Sequence, residues 1–320
     1  MDMKPTRDGF GEGLMELGKT HPHVVALSGD LEDSARAHWF KKQYPDRFFS
    51  VGIAEQDMIG TAAGFAMAGK VPFACSFAQF VTGKTLEQLR MAVCYQKLNV
   101  KVVGSHGGLS VGADGATAEA LEEFTHMRSL PGMAVIAPCD ALEAKRATIA
   151  AADYPGPVFL RLGRAPAPMI TKESEPYIIG KSVLMRKGGD VTLIACGLMV
   201  EHSLEAAELL HKEGIDARVI NMHTIKPIDK DAIVAAAKET GAIVTVEEHT
   251  VLGGLGGAVA EVVVQNQPVP MRFVGIQDRF GTSGDPKELL KHFKLMPADI
   301  AIAVRDVLRV KPSGAAARSR

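Results

Sequence analysis

Apolar residues fall along the chain in short, nearly continuous runs separated by longer stretches of helical period. His23-Val24-Val25-Ala26-Leu27-Ser28, Val71-Pro72-Phe73-Ala74-Cys75, Val100-Lys101-Val102-Val103-Gly104, Met133-Ala134-Val135-Ile136-Ala137 and Pro157-Val158-Phe159-Leu160 read as buried strands. Between them, Phe10, Leu14 and Leu17, and again Leu86, Leu89 and Val93, recur at the spacing of one helix face. Strands apolar on both faces, alternating with helices, point to parallel sheets covered by helices. The alternation lapses at residues 167–189, where Pro166, Pro168 and Pro176 accompany polar residues and Arg186-Lys187-Gly188-Gly189-Asp190 signals a turn. A linker with an edge strand at Tyr177-Ile178-Ile179 is expected there. The pattern then resumes, with strands at 191–196, 217–221, 242–247 and 271–276 and helices near 200–213, 229–240, 256–266, 286–293 and 298–309. The prediction is an α/β chain of two doubly wound domains with mainly parallel sheets, at 1–166 and 190–310, followed by a disordered tail at 311–320.

Composition narrows the function classes. Of 320 residues, 47% are hydrophobic and 23% charged, an ordinary globular mix. Lys plus Arg number 36 against 37 Asp plus Glu, so no chain-wide basic field suggests nucleic acid. No apolar run approaches the roughly 20 residues of a membrane helix, and the opening Met1-Asp2-Met3-Lys4-Pro5 has no leader-like core. Cys75, Cys94, Cys139 and Cys196 match no metal spacing and read as free thiols of a cytoplasmic protein. Gly60, Ala62, Ala63, Gly64, Ala66, Ala68 and Gly69 crowd one helix, which suits either tight internal packing or a helix pair across a subunit interface.

Chemistry concentrates at strand ends, where parallel sheets bind ligands. Glu55 stands at a strand-to-helix junction in Val51-Gly52-Ile53-Ala54-Glu55-Gln56, with Ile53 and Met58 as apolar neighbours. A carboxylate also suits the positive end of a helix for purely structural reasons. Phe77 and Phe80 leave the next strand on one side. The glycine-rich segment Gly104-Ser105-His106-Gly107-Gly108-Leu109-Ser110-Val111-Gly112-Ala113-Asp114-Gly115 follows another, and His106 and Asp114 are its side chains best suited to a ligand. Loops run on the surface, so His106 is expected to be accessible. Val251-Leu252-Gly253-Gly254-Leu255-Gly256-Gly257 reads as a tight strand–helix turn rather than an anion site, and His249 before it as structural.

Together the Ile-Ala-Glu55-Gln context, Ser76-Phe77-Ala78-Gln79-Phe80 and the His106–Asp114 segment resemble the pyrimidine-binding domain of transketolase. The resemblance extends over residues 5 to 309, through Ile225-Lys226-Pro227-Ile228-Asp229 and Val244-Thr245-Val246-Glu247-Glu248-His249. The Gly-Asp-Gly and downstream Asn with which that family holds diphosphate through Mg²⁺ are absent. The chain therefore resembles the C-terminal subunit of a split transketolase.

The resemblance implies thiamine diphosphate as cofactor, with Mg²⁺ ligands from an N-terminal diphosphate-binding partner subunit, in a heterotetramer with self-association of this chain. It implies that Glu55 hydrogen-bonds N1′ of the aminopyrimidine, its carboxyl kept protonated by burial against Ile53 and Met58. It casts Phe77 and Phe80 as the walls of that ring, Phe80 as the stacking partner, and gives the donor hydroxyls to His106 and Asp114. Arg7, Ser34 and Arg164 fall to the sugar phosphate, a role that suits the guanidinium fork. The reaction implied is transfer of a two-carbon ketol unit between sugar phosphates, by default in pentose phosphate interconversion. Ala118, where the family places a polar residue, and Ala113, often acidic there, depart from the pattern. The beta subunit of a 2-oxoacid dehydrogenase E1, a deoxyxylulose phosphate synthase-like protein and a non-catalytic scaffold are the competing readings.

Overall fold

The computed structural model describes residues 3–312; the tail expected at 311–320 lies, from residue 313 on, outside the described residues. A seven-stranded sheet runs in the order Thr224–Lys226, Ala134–Ile136, Val158–Arg161, Lys101–Ser105, Val71–Phe77, Val24–Ser28, Phe48–Ser50. All its neighbours are parallel except the first pair. Its central strands are buried along their whole length, which explains their unbroken apolar text. A second sheet has five strands in the order Met271–Ile276, Ile243–Thr250, Val191–Ala195, Ala217–Asn221, Val183–Arg186, the last antiparallel. Helices Thr6–Thr20, Glu55–Met67 and Ala141–Asp153 cover the first sheet; Met199–His211, Lys230–Thr240, Leu255–Asn266 and Pro297–Arg309 accompany the second.

Three expectations need correction. Tyr177-Ile178-Ile179 forms no strand; the edge strand is Val183–Arg186, which pairs with Ala217–Asn221. Residues 167–189 are not merely a linker, because Pro166–Pro168 pairs antiparallel with Met3–Pro5. The intervening polar stretch is tied down through its backbone. The Asp140 carboxylate caps helix Ala141–Asp153 and also accepts from the amides of Ile170 and Thr171, while Asp229 accepts from Ser182. The stretch marked by Leu86, Leu89 and Val93 is not one regular helix, since Leu89–Cys94 is wound as a π-helix.

The halves are joined by more than the connecting segment. Strand Thr224–Lys226 lies in the second half of the chain but completes the edge of the first sheet. One apolar cluster runs through both halves, bringing Phe124, Met127 and Val135 together with Ile220, Ile225 and Val259.

Candidate active site

The chain turns sharply after strand Phe48–Ser50, with Gly52 at φ 72°, and Glu55 is the first residue of helix Glu55–Met67. This puts its carboxylate beside the carboxyl ends of strands Val24–Ser28 and Val71–Phe77. Glu55 is only 4% exposed. Met58 and Ile59 are buried beneath it, but Ile53 is 77% exposed and forms no wall of a Glu55 pocket. The turn at residues 52–54 directs it outward, so burial of Glu55 comes from its helix and the sheet.

Phe77 and Phe80 stack with ring centroids 5.5 Å apart. Lys84, just past the short helix Ala78–Gly83, was not anticipated. Its Nζ lies 3.2 and 3.3 Å from the two Glu55 carboxylate oxygens and 4.4 Å from the Phe80 ring centroid. One half-exposed ammonium thus engages both the carboxylate and the aromatic face. Nearby, the buried Ser76 hydroxyl has no hydrogen-bond partner among the described residues.

The row of contacts continues into the glycine-rich loop. The His106 ring stacks on Phe77 at 3.9 Å and is 3% exposed, contrary to the surface position expected of it. The reason is that Phe77, Arg7 and Ser105 enclose the ring, while the second half of the chain packs on the residues that follow it. His106 adopts φ 58°, a left-handed conformation uncommon outside glycine. Its Nε2 is 3.5 Å from Arg7 Nη1 and its Nδ1 2.9 Å from the Ser105 hydroxyl. Because a guanidinium only donates, Nε2 is the acceptor and Nδ1–H donates to Ser105. Burial, reinforced by Arg7, Arg164 and Arg36, pushes the His106 pKa down to about 3, so the ring is neutral at physiological pH.

Arg7 Nη1 donates to the Ser34 carbonyl at 3.1 Å, so Ser34 meets it through its backbone. Arg164 donates to the Val111 carbonyl at 2.7 Å and to Asp114 at 3.2 Å. Asp114 therefore pairs with Arg164, not with His106. Arg7 and Arg164 line a cavity of about 920 Å³, whose opposite wall is Leu198, His202 and Lys287 from the second half. Ala118 is buried and contributes no polar group.

Behind the loop lies a buried charge cluster that motif reading missed. Arg161 Nε donates to Glu123 at 3.1 Å and its Nη2 is 3.7 Å from the Glu248 carboxylate, all three side chains being buried. Burial raises the Glu123 pKa to about 7 despite Arg161. Glu247 accepts from the amides of Leu255 and Gly256 and thereby fills the helix start after the 251–257 turn from within. His249 is fully buried and stacks on Phe124, a structural role. A signal for this cluster existed: three consecutive polar residues, Glu247-Glu248-His249, in a strand otherwise reading as core. Among the described residues no group of three or more His, Cys, Asp or Glu side chains is placed to hold a metal ion. No described helix is long and apolar enough to cross a membrane.

Residues 2–168 match the family described as the transketolase pyrimidine-binding domain, and residues 180–300 match the transketolase C-terminal domain. A protein of Methanocaldococcus jannaschii named as a transketolase C-terminal section is 43% identical over 96% of this chain and 97% of its own length. A 6-deoxy-6-sulfo-D-fructose transketolase subunit of a Clostridium species is 41% identical over 95% of each. A solved structure described as a split gene transketolase, an inactive beta4 tetramer, superimposes with a TM-score of 0.91 at 42% identity, over 96% of this chain and 99% of that one. With both of its domains matched in order, and with relatives of this similarity aligned over nearly their full length, the chain belongs to the transketolase family.

Proposed function

We propose that this chain is the C-terminal subunit of a two-chain transketolase, which moves a two-carbon ketol unit between phosphorylated or similarly anionic sugars. The observation that carries this reading is the unbroken row of contacts from Glu55 through Lys84, Phe80, Phe77 and His106 to Arg7, ending at the cavity lined by Arg7 and Arg164. The relatives support the split arrangement, one being named as a section and another as a subunit.

Membership of the family implies dependence on thiamine diphosphate. The residues present fit its aminopyrimidine: Glu55 offers a buried carboxyl for the ring nitrogen, Phe80 and Phe77 offer a stacking wall, and Ser76 retains an unmatched hydroxyl beside them. Bound thiamine diphosphate supplies the carbon nucleophile that carries the ketol unit. This chain's residues bind and orient. Glu55 turns its carboxyl to the ring nitrogen, and Lys84 swings aside to admit the ring. Neutral His106 and Asp114 address sugar hydroxyls, while Arg7 and Arg164 neutralise the anionic end, with Ser34 setting the direction of Arg7. Mg²⁺ and the diphosphate fall to the N-terminal partner subunit, giving two copies of each chain.

The face carrying Gly60 and Gly64 has no neighbour among the described residues, so packing against them does not account for those glycines. It is assigned to subunit contact. Four buried free thiols suit a reducing cytoplasm. The donor and acceptor need not be those of the pentose phosphate pathway, since the Clostridium relative is named for a sulfosugar.

The test is ketol transfer with thiamine diphosphate and Mg²⁺, run with this chain alone, with the diphosphate-domain chain added, and with Glu55→Ala in the mixture. The expected result is turnover only in the mixture. Glu55→Ala should lower it by about a hundredfold or more while the complex still assembles. Turnover that survives Glu55→Ala would refute the assignment, as would 2-oxoacid decarboxylation in place of ketol transfer.

A further inference from the structure

The loop between His106 and Asp114 is shaped from behind by the second domain. The Ser110 amide donates to the Glu248 carboxylate, which reaches over from strand Ile243–Thr250. Arg161 holds that strand in place by donating to the Glu248 carbonyl at 3.0 Å. The glycines of the loop record how closely this support approaches. A Cβ on Gly107 would run into the Arg161 side chain, and one on Gly108 into the Glu248 carboxylate, where φ is already 87°. Further along, the Ser283 hydroxyl donates to the Ala113 carbonyl at 2.6 Å, and Gly112 packs on Pro286. The backbone is therefore gripped at residues 107, 108, 110 and 113, between the two side chains assigned to the sugar.

A buried arrangement of this kind is a poor way to gain stability. Desolvating Arg161, Glu123 and Glu248 costs several kcal/mol per ion, and well-packed apolar residues would often serve as well. What apolar residues could not supply is a charged acceptor aimed at the amide of Ser110, since charge-assisted bonds to backbone N–H groups are both strong and directional. Small errors of placement in a binding constellation are costly.

We infer that Glu248, steadied by Arg161, is a positioning residue: its carboxylate fixes the backbone between His106 and Asp114, so that Glu248 shapes the sugar site from behind without itself touching the sugar. The link to sugar rests on the reading proposed above; the hold on the loop does not.

The two are separated by the experiment. Amide hydrogen exchange is measured on the full chain for wild type, Glu248→Gln and Glu248→Ala, with strand Val191–Ala195 as internal control. Loss of the charged acceptor should speed exchange over residues 107–114 by about tenfold in Glu248→Ala, and less in Glu248→Gln, which keeps an acceptor oxygen. The control strand should not change. Ser283→Ala, which removes the second-domain contact at Ala113, should speed only residues 111–115 and keeps the test open if Glu248→Ala does not fold. In the two-chain complex, Glu248→Gln should raise KM for a ketose phosphate by several-fold, with kcat and the affinity for thiamine diphosphate moving much less. Unchanged loop exchange in Glu248→Ala would overturn the inference, as would equal acceleration of the control strand or equal loss of cofactor and sugar affinity. If the wild-type complex shows no ketol transfer, the proposed function fails, and the exchange result still decides the hold on the loop.

Discussion

The corner around Glu55 and the loop around His106 touch at the Phe77–His106 stack, yet they are finished differently. At the corner this chain provides a carboxylate and an aromatic wall, and the remaining side carries half-exposed Lys84, exposed Ile53 and the open face of Gly60 and Gly64. At the loop both sides come from this chain, because Glu248, Ser283 and Pro286 of the second domain back its turns. The contrast separates what one polypeptide completes alone from what it leaves to another. On the function proposed above, sugar-side geometry would be set within this chain, while the cofactor side would be a half-site.

The strongest way to break that contrast is to compare a substitution behind the loop with one at the corner. Arg161→Met strips the only close cation from buried Glu123 and Glu248 among the described residues. It should cost about 3–5 kcal/mol, read as a drop in Tm of roughly 5–7 °C for a chain of this size. Lys84→Met, at a half-exposed ion pair, should cost under about 1 kcal/mol. Equal losses in thermal denaturation would erase the distinction.

A second measurement uses pH. Glu119 is buried beside the loop, and neither of its carboxylate oxygens has a hydrogen-bond partner among the described residues. Burial, with Glu248 adding, raises its pKa to about 7, against about 4.3 in an unfolded chain. The fold therefore favours its proton, a contribution complete below pH ~4 and lost as pH climbs through about 7. Glu119→Gln has no such proton to lose. Its Tm advantage over wild type should widen by a few degrees between about pH 5 and pH 8, roughly 2–3 kcal/mol. A constant difference across that window would show Glu119 to be solvated.

The smallest effect sharpens the corner itself. Lys84 occupies both contacts assigned to the aminopyrimidine, Glu55 and the face of Phe80, so the ring must displace it. Titrating thiamine diphosphate into the two-chain complex should show Lys84→Met binding about two- to fivefold more tightly, the worth of one half-exposed ion pair. Weaker binding would mean that Lys84 helps to hold the cofactor.

The parallel strands were legible because burial on both faces leaves almost nothing but apolar residues in Val24–Ser28 or Lys101–Ser105. Thr224–Lys226 was not, since three residues with two polar side chains carry no period, and its pairing depends on a partner strand far away in sequence. Val183–Arg186 is a half-exposed edge, which lacks the same signal. Among the candidate residues, Glu55 and His106 could be singled out from short text around turns, and Arg7 only through the family resemblance. Their mutual contacts could not, because Phe77 meets His106 only through the pairing of strands Val71–Phe77 and Lys101–Ser105. Lys84 looked like any solvated lysine. Ile53 was misplaced because an apolar residue next to a buried one need not share its direction in a turn.

Strand Thr224–Lys226 also bears on how the chain is made. The first sheet cannot be closed at Ala134–Ile136 by anything the first half encodes. While synthesis proceeds from the N-terminus, that edge stays unpaired until the second half has been translated, and an unpaired edge is a template for the wrong neighbour. A fragment cut between the two domains would keep this open edge permanently, so the halves of this protein are expected to behave poorly when expressed apart.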